Sequence, residues 1–165
     1  MNKKLELEFP QFITHIPKSK KEWIKIGYNK IHAGVHFSTR KAIVATMHSY
    51  IEKHIPDDLT IQGPVETSLI VYAPINFGTM RMLLNKETNR REVNWKPAIK
   101  DYKPAWDIGN LAMVWLKSLD DVIIKKGILP DDNVGHLRKT SYEFRPIDNF
   151  HDRKLIYQIK KRTRK

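Results

Sequence analysis

The chemistry-bearing residues of this chain cluster in residues 106–133, which read W-D-I-G-N-L-A-M-V-W-L-K-S-L-D-D-V-I-I-K-K-G-I-L-P-D-D-N. Asp107 and Asn110 open the stretch, Lys117 stands mid-way, and Asp131 and Asp132 close it just past Gly127. A hard divalent cation such as Mg²⁺ takes oxygen ligands and keeps several waters, so one or two carboxylates brought together from separate elements suffice to hold it at a phosphate. The cation then polarises the phosphoryl oxygen or activates water. A lysine nearby neutralises charge that builds up in the transition state. The same residues also fit a plainer account: Asp107 as a helix-opening residue, Lys117 and Asp121 as an i,i+4 pair, and Asp131–Asp132 as a turn.

A helix must position most of these groups. At 100° per residue Leu111, Trp115, Leu119, Val122 and Ile123 share one arc, with Ala112 and Leu116 beside them. Asp107, Asn110, Lys117, Asp121 and Lys125 share the opposite arc. Gly127 is a good helix stop, and Lys125 and Lys126 before it suit a helix C-terminus. Pro130 keeps the helix from resuming. The pattern predicts a buried helix with one polar stripe and a second acidic group after its far end.

The rest of the chain supplies a scaffold and two basic segments. Residues 4–9 alternate as K-L-E-L-E-F and predict a strand stopped by Pro10. Residues 11–38 read as irregular, with Lys18, Lys20, Lys21, Lys25 and Lys30 interleaved with Trp23, Tyr28 and Phe37, a mixture suited to phosphate contact and base stacking. His32 and His36 are four apart, but nothing nearby completes a tetrahedral metal site. Ser38 or Thr39 caps a predicted helix over residues 40–54, whose stripe is Ala42, Ile43, Met47, Tyr50 and Ile51. Residues 64–73 predict a central strand. Residues 75–104 read as a long flexible loop with room for a short hairpin or helical turn, carrying Arg81, Lys86, Arg90, Arg91, Lys96, Lys100 and Lys103 up to Asp107. Two more strands are expected over residues 134–144 and 153–160, followed by a frayed basic tail, 161–165.

Composition bounds the class. The chain has 165 residues, 41% hydrophobic and 29% charged, which fits a single domain with a real core. No apolar run approaches the roughly 20 residues of a membrane span. The charged, alternating N-terminus is not a secretory signal. There are no cysteines, which removes disulfides and thiolate metal sites and fits a reducing, cytoplasmic setting. The net charge of +12 points to a polyanionic partner, nucleic acid ahead of a membrane.

The order strand, basic loop, helix, strand, basic loop, D-x-x-N-L helix, Gly, Asp-Asp, two strands resembles the RusA-like Holliday-junction resolvases. That family opens its second long helix with Asp-x-Asp-Asn-Leu, carries a lysine on it, ends it at a glycine, and follows it with Asp-Asp and a strand. Asp107, Asn110 and Leu111 match the opening motif, Gly127 the helix-end glycine, and Asp132 the catalytic aspartate of the closing pair. Lys117, Asp121 and Lys125 match when counted back from Gly127. Between Asn110 and Lys117 the chain carries about four extra residues, roughly one helical turn. Gly109 stands where the family has its second motif aspartate, and Met113 where its lysine would fall without the insertion. Asp131, Asp121 or Asp101 is available to replace the missing carboxylate.

The resemblance implies a single α+β domain with helices packed on a mixed sheet. It also implies a homodimeric endonuclease that uses Mg²⁺ or Mn²⁺ to cut four-way DNA junctions in a bacterial or phage-infected cell. In that reading Asp107 and Asp132, with Asp131, hold the metal. Asn110 orients a ligand or the phosphate, Lys117 stabilises charge on the scissile phosphate, and water is the nucleophile. Two other classes fit the same sequence: a junction-binding module that has lost catalysis, with Gly109 as its mark, and a basic RNA-binding or structural phage protein.

Overall fold

The structure is a computed structural model that describes residues 4–17, 23–27, 29, 31, 36–75, 79–96, 107–131 and 135–162. Its frame is a four-stranded sheet. The strands are β1 (Lys4–Pro10), β4 (Val65–Ala73), β7 (Leu137–Pro146) and β8 (Lys154–Lys161), in the order β1-β8-β4-β7. β8 runs antiparallel to both β1 and β4, while β7 runs parallel to β4. The sheet is therefore mixed, as expected, and β1, β4 and β7 all point the same way.

Period-2 alternation sorts the faces. Leu7 and Phe9 of β1, Val65, Leu69 and Val71 of β4, and Leu155, Tyr157 and Ile159 of β8 are buried. They join one hydrophobic core with two helices, α1 (Phe37–Glu52) and α2 (Ile108–Lys125). α1 contributes Ile43, Met47 and Ile51. α2 contributes Leu111, Trp115, Leu119, Val122 and Ile123, the arc read from its sequence. Each such side chain contributes about 1.5–3 kcal/mol on burial. Gly127 ends α2 with φ +70°, the left-handed cap that glycine tolerates best. No helix among the described residues is long and apolar enough to cross a membrane.

Several boundaries differ from the sequence expectation. α1 starts at Phe37, because the ring nitrogen Nδ1 of His36 accepts the Ser38 backbone N–H at 3.3 Å and does the capping assigned to Ser38 or Thr39. Residues 11–38 are not wholly irregular: β2 (His15–Pro17) and β3 (Trp23–Lys25) pair antiparallel. Within residues 75–104, β5 (Thr79–Asn85) and β6 (Arg90–Lys96) form a full antiparallel hairpin. The Asn85 carboxamide oxygen accepts from the backbone N–H groups of Glu87 (2.9 Å) and Thr88 (3.3 Å), and Asn89 adopts φ 52°, so local asparagine chemistry makes the turn. β7 extends to Pro146, past the expected end at residue 144.

The direction of the strands matters for function. Residues 11–36 leave the C-terminal end of β1, and residues 74–106 leave the C-terminal end of β4. Both segments therefore begin at the same end of the sheet, and the second precedes α2 in the sequence. Arg153 ties this edge together. Its guanidinium lies 4.1 Å over the Phe150 ring. It donates to the carbonyls of Phe12 (2.9 Å), Phe150 (3.1 Å) and Gln11 (3.2 Å).

Candidate functional site at the N-terminus of α2

Asp107 is the N-cap of α2. Its Oδ1 accepts the Asn110 backbone N–H at 3.0 Å, and its carbonyl accepts from Leu111 at 3.0 Å. This satisfies one of the unpaired donors that every helix start exposes. The carboxylate is otherwise exposed to solvent.

Asn110 points to a different neighbour. Its carboxamide oxygen accepts the backbone N–H of Asn29 at 2.9 Å. Gly27 passes so close that a Cβ there would stand 3.2 Å from the same oxygen. Asn110 is thus a clip that fastens the chain after β3 onto the first turn of α2, and Gly27 is needed because a side chain would press on the clip.

Lys25, the last residue of β3, stands two residues before Gly27. Burial pulls the Lys25 ammonium below the usual lysine value, and the Asp107 carboxylate pulls it back up. Lys25 lies opposite His15 in the β2–β3 pair. The His15 imidazole, bonded to the Thr14 hydroxyl at 2.9 Å, is pushed down to about 4, chiefly by burial and further by Lys25 and Arg153. On the other side of Asp107, the Tyr142 hydroxyl of β7 lies over Gly109, 3.3 Å from where a Cβ would be.

The residues expected from the sequence divide into groups. Asp107 and Asn110 come together on the first turn of α2. Lys117 sits ten residues on, about 15 Å along the helix axis, and pairs with Asp121 at 2.8 Å. Asp131 follows the opposite end of α2, a helix about 27 Å long at 1.5 Å per residue. Asp132, Asp101, His32, Lys18, Lys20, Lys21, Lys100 and Lys103 lie outside the described residues. Arg81 is on β5, Arg90, Arg91 and Lys96 are on β6, and Lys86 is in the turn between them. Among the described residues no three His, Asp or Glu side chains form a group able to hold a metal.

Lys25, Gly27, Asn29 and Tyr142 were not singled out as site residues by sequence reasoning. Lys25 was one of five lysines in a basic run, and nothing in the sequence distinguished it from the others. No protein-family model and no curated relative matches the chain.

Proposed function

We propose that this protein is a Mg²⁺- or Mn²⁺-dependent endonuclease that cleaves branched DNA by phosphodiester hydrolysis, in the manner of the RusA-like enzymes it resembles. The observation that carries this reading is the concentration of positive charge in two segments. Residues 11–36 hold five lysines and one glutamate, and residues 74–106 hold seven basic and three acidic residues, so the two segments carry eight of the twelve net positive charges. Both begin at the same end of the sheet, at the C-termini of β1 and β4, and the second precedes Asp107 in the sequence. Net positive charge of that size draws a polyanion such as DNA.

The donor set suits a metal only in its minimal form. Mg²⁺ is often held by one or two protein carboxylates, with water and substrate phosphate completing the octahedron, and Asp107 supplies one exposed carboxylate. When bound, the cation would polarise the scissile phosphate and activate water. Asp131 and Asp132 are the partners proposed from the family pattern, and a homodimer gives a second source of both. Asn110 holds Gly27 and Asn29 against α2. Lys117, engaged with Asp121 well down the helix, takes no part at Asp107 in this reading.

A second reading has its own support. Gly109 offers no carboxylate where the resembling family carries its second motif aspartate, which suits a junction-binding protein without catalysis. One experiment separates the two: a labelled four-way junction incubated with the protein, with and without Mg²⁺. The nuclease cuts the junction only with the cation. A silent binder shifts it in a gel under both conditions and leaves it intact. Paired cuts across a junction require two equivalent sites, which a two-fold dimer supplies. Light scattering with and without the junction measures that, and a strict monomer in both conditions counts against paired resolution.

A further inference from the structure

We propose that β7 is the interface of a homodimer, its outer edge pairing antiparallel with the same edge of a second copy about a two-fold axis at Ser141. β7 ends the sheet: β4 lies on one side of it and, among the described residues, no strand lies on the other. No described residue of β7 is buried, whereas β1, at the opposite edge, buries Leu7 and Phe9. The ladder fixes the direction of the free backbone groups. Ile147 donates its N–H to the Ala73 carbonyl at 3.1 Å, and Ala73 lies opposite Pro146. Residues along a paired strand alternate in the side to which they bond. Lys139, Ser141, Glu143 and Arg145 therefore bond to β4, and Thr140, Tyr142 and Phe144 turn their N–H and C=O groups outward. Such a row is a template for another strand.

Charge selects the occupant and the register. A dyad at Ser141 sets Thr140 of one copy opposite Tyr142 of the other, so outward groups meet outward groups. It also sets Lys139 opposite Glu143 on both sides of the axis, and opposite charges across antiparallel strands stabilise the pairing. Glu143 holds Arg145 of its own strand at 2.8 and 3.3 Å, and its carboxylate keeps lone pairs for a second cation. A dyad at Thr140 would set Lys139 opposite Ser141, and one at Tyr142 would set it opposite Arg145. A dyad at Phe144 would pair Glu143 with Arg145 but place Pro146, which has no N–H, opposite Tyr142. On β1 the register that sets Lys4 opposite Glu8 sets Glu6 against itself. Tyr142 and Phe144 share the helix-bearing face: Tyr142 covers Gly109, and Phe144 packs against the core. An axis perpendicular to the sheet thus keeps the helices of both copies on one face and brings the two Tyr142 residues to about 7–8 Å of each other. The two Asp107 sites then lie on that face, one on each side of the axis. Their use in paired cutting rests on the reading above; the interface does not.

The chain has no cysteine, so a single introduced thiol tests the axis. Ser141 would face itself in a non-hydrogen-bonded pair, with Cα atoms about 4.5 Å apart, inside the roughly 4.4–6.8 Å that a disulfide spans. Under mild oxidation and without DNA, Ser141→Cys is expected to form a covalent dimer about tenfold faster than Tyr142→Cys, one residue off the axis, or Ser49→Cys on the exposed side of α1. Sedimentation velocity over a range of concentration measures the dimer of the natural chain. Glu143→Lys sets lysine against lysine and should weaken dimerisation about tenfold; adding Lys139→Glu to that variant should restore it. Cross-linking of Ser141→Cys no faster than both controls overturns the proposal. So does a wild type that is monomeric at every concentration, or a Glu143→Lys variant that dimerises like wild type. Failure of the double exchange to restore the dimer removes the Lys139–Glu143 pairing and the register with it. A dimer that meets these tests and cuts no junction in Mg²⁺ leaves the interface standing while the nuclease reading fails.

Discussion

The hydroxyl of Tyr142 occupies the space above Gly109: a Cβ on Gly109 would meet it at 3.3 Å, and would meet Asp107 Oδ1 at 3.7 Å. The position where the resembling family carries its second motif aspartate is therefore directly beside the first aspartate, and a tyrosine from the edge strand covers it. Tyr142 is 44% exposed, so its ring tip has room to retreat by the few tenths of an ångström a side chain would need.

Gly109→Asp is accordingly expected to fold. A carboxylate in the first turn of α2 is favoured by the helix dipole, and the helix propensity of Asp exceeds that of Gly by about 0.3 kcal/mol. If the protein is a nuclease, the variant should need less Mg²⁺ for half-maximal cleavage, and adding Tyr142→Ala should lower the requirement further. A metal titration of junction cleavage checks this. An unchanged response in both variants would remove Gly109 from the metal site.

Asp107 caps α2, and in the proposed function it also holds the metal; two substitutions separate these tasks. Asparagine caps helices about as well as aspartate, whereas Ala at an N-cap costs about 0.5–2 kcal/mol. Asp107→Ala should lower the urea midpoint, while Asp107→Asn should hold it near wild type. Both should abolish divalent-dependent cutting. Asp107→Asn should still bind the junction, at least as tightly as wild type, since a negative charge facing phosphate is gone. Wild-type cleavage by Asp107→Asn would remove the carboxylate from the mechanism.

Arg90 and Arg91 open β6 of the hairpin that precedes α2. Replacing both with Ala should reduce the salt slope of DNA binding by up to about two units and weaken all sequences alike. A slope identical to wild type would show that the hairpin stays off the DNA.

His15 makes stability depend on pH. Its folded-state value is pushed down to about 4 from the ordinary 6.5, first by burial and then by Lys25 and Arg153. Between those values the unfolded chain binds a proton that the folded chain refuses. This contribution to stability is complete above about pH 6.5, falls as pH is lowered toward 4, and changes no further below that. Urea midpoints at pH 7 and pH 5 should therefore differ more in the wild type than in His15→Gln. Equal differences would mean that His15 titrates normally in the folded protein.

Much of the scaffold was determined by the sequence itself. The 3.6-residue period of residues 111–123 fixed the buried face of α2, and Gly127 fixed its end, because helix faces and caps are decided by neighbours a few residues away. The alternation in residues 4–9 and 153–160 marked β1 and β8 for the same reason. Asp107 was legible as the residue that opens α2, because capping is a local interaction.

Tertiary structure alone decided what meets the first turn of α2. Asn29 lies about eighty residues before Asn110 and meets it through a hydrogen bond that no local pattern announces. Tyr142 reaches Gly109 only through the parallel register of β7 on β4, which sets Tyr142 opposite Leu69. Lys117 pairs with Asp121 one helical turn on. A local pattern shows which side of a helix is polar, but the rise of 1.5 Å per residue puts ten residues about 15 Å apart, so a shared stripe is not a shared site. Long-range pairing is set by which strands adjoin, and no periodicity along the chain records that.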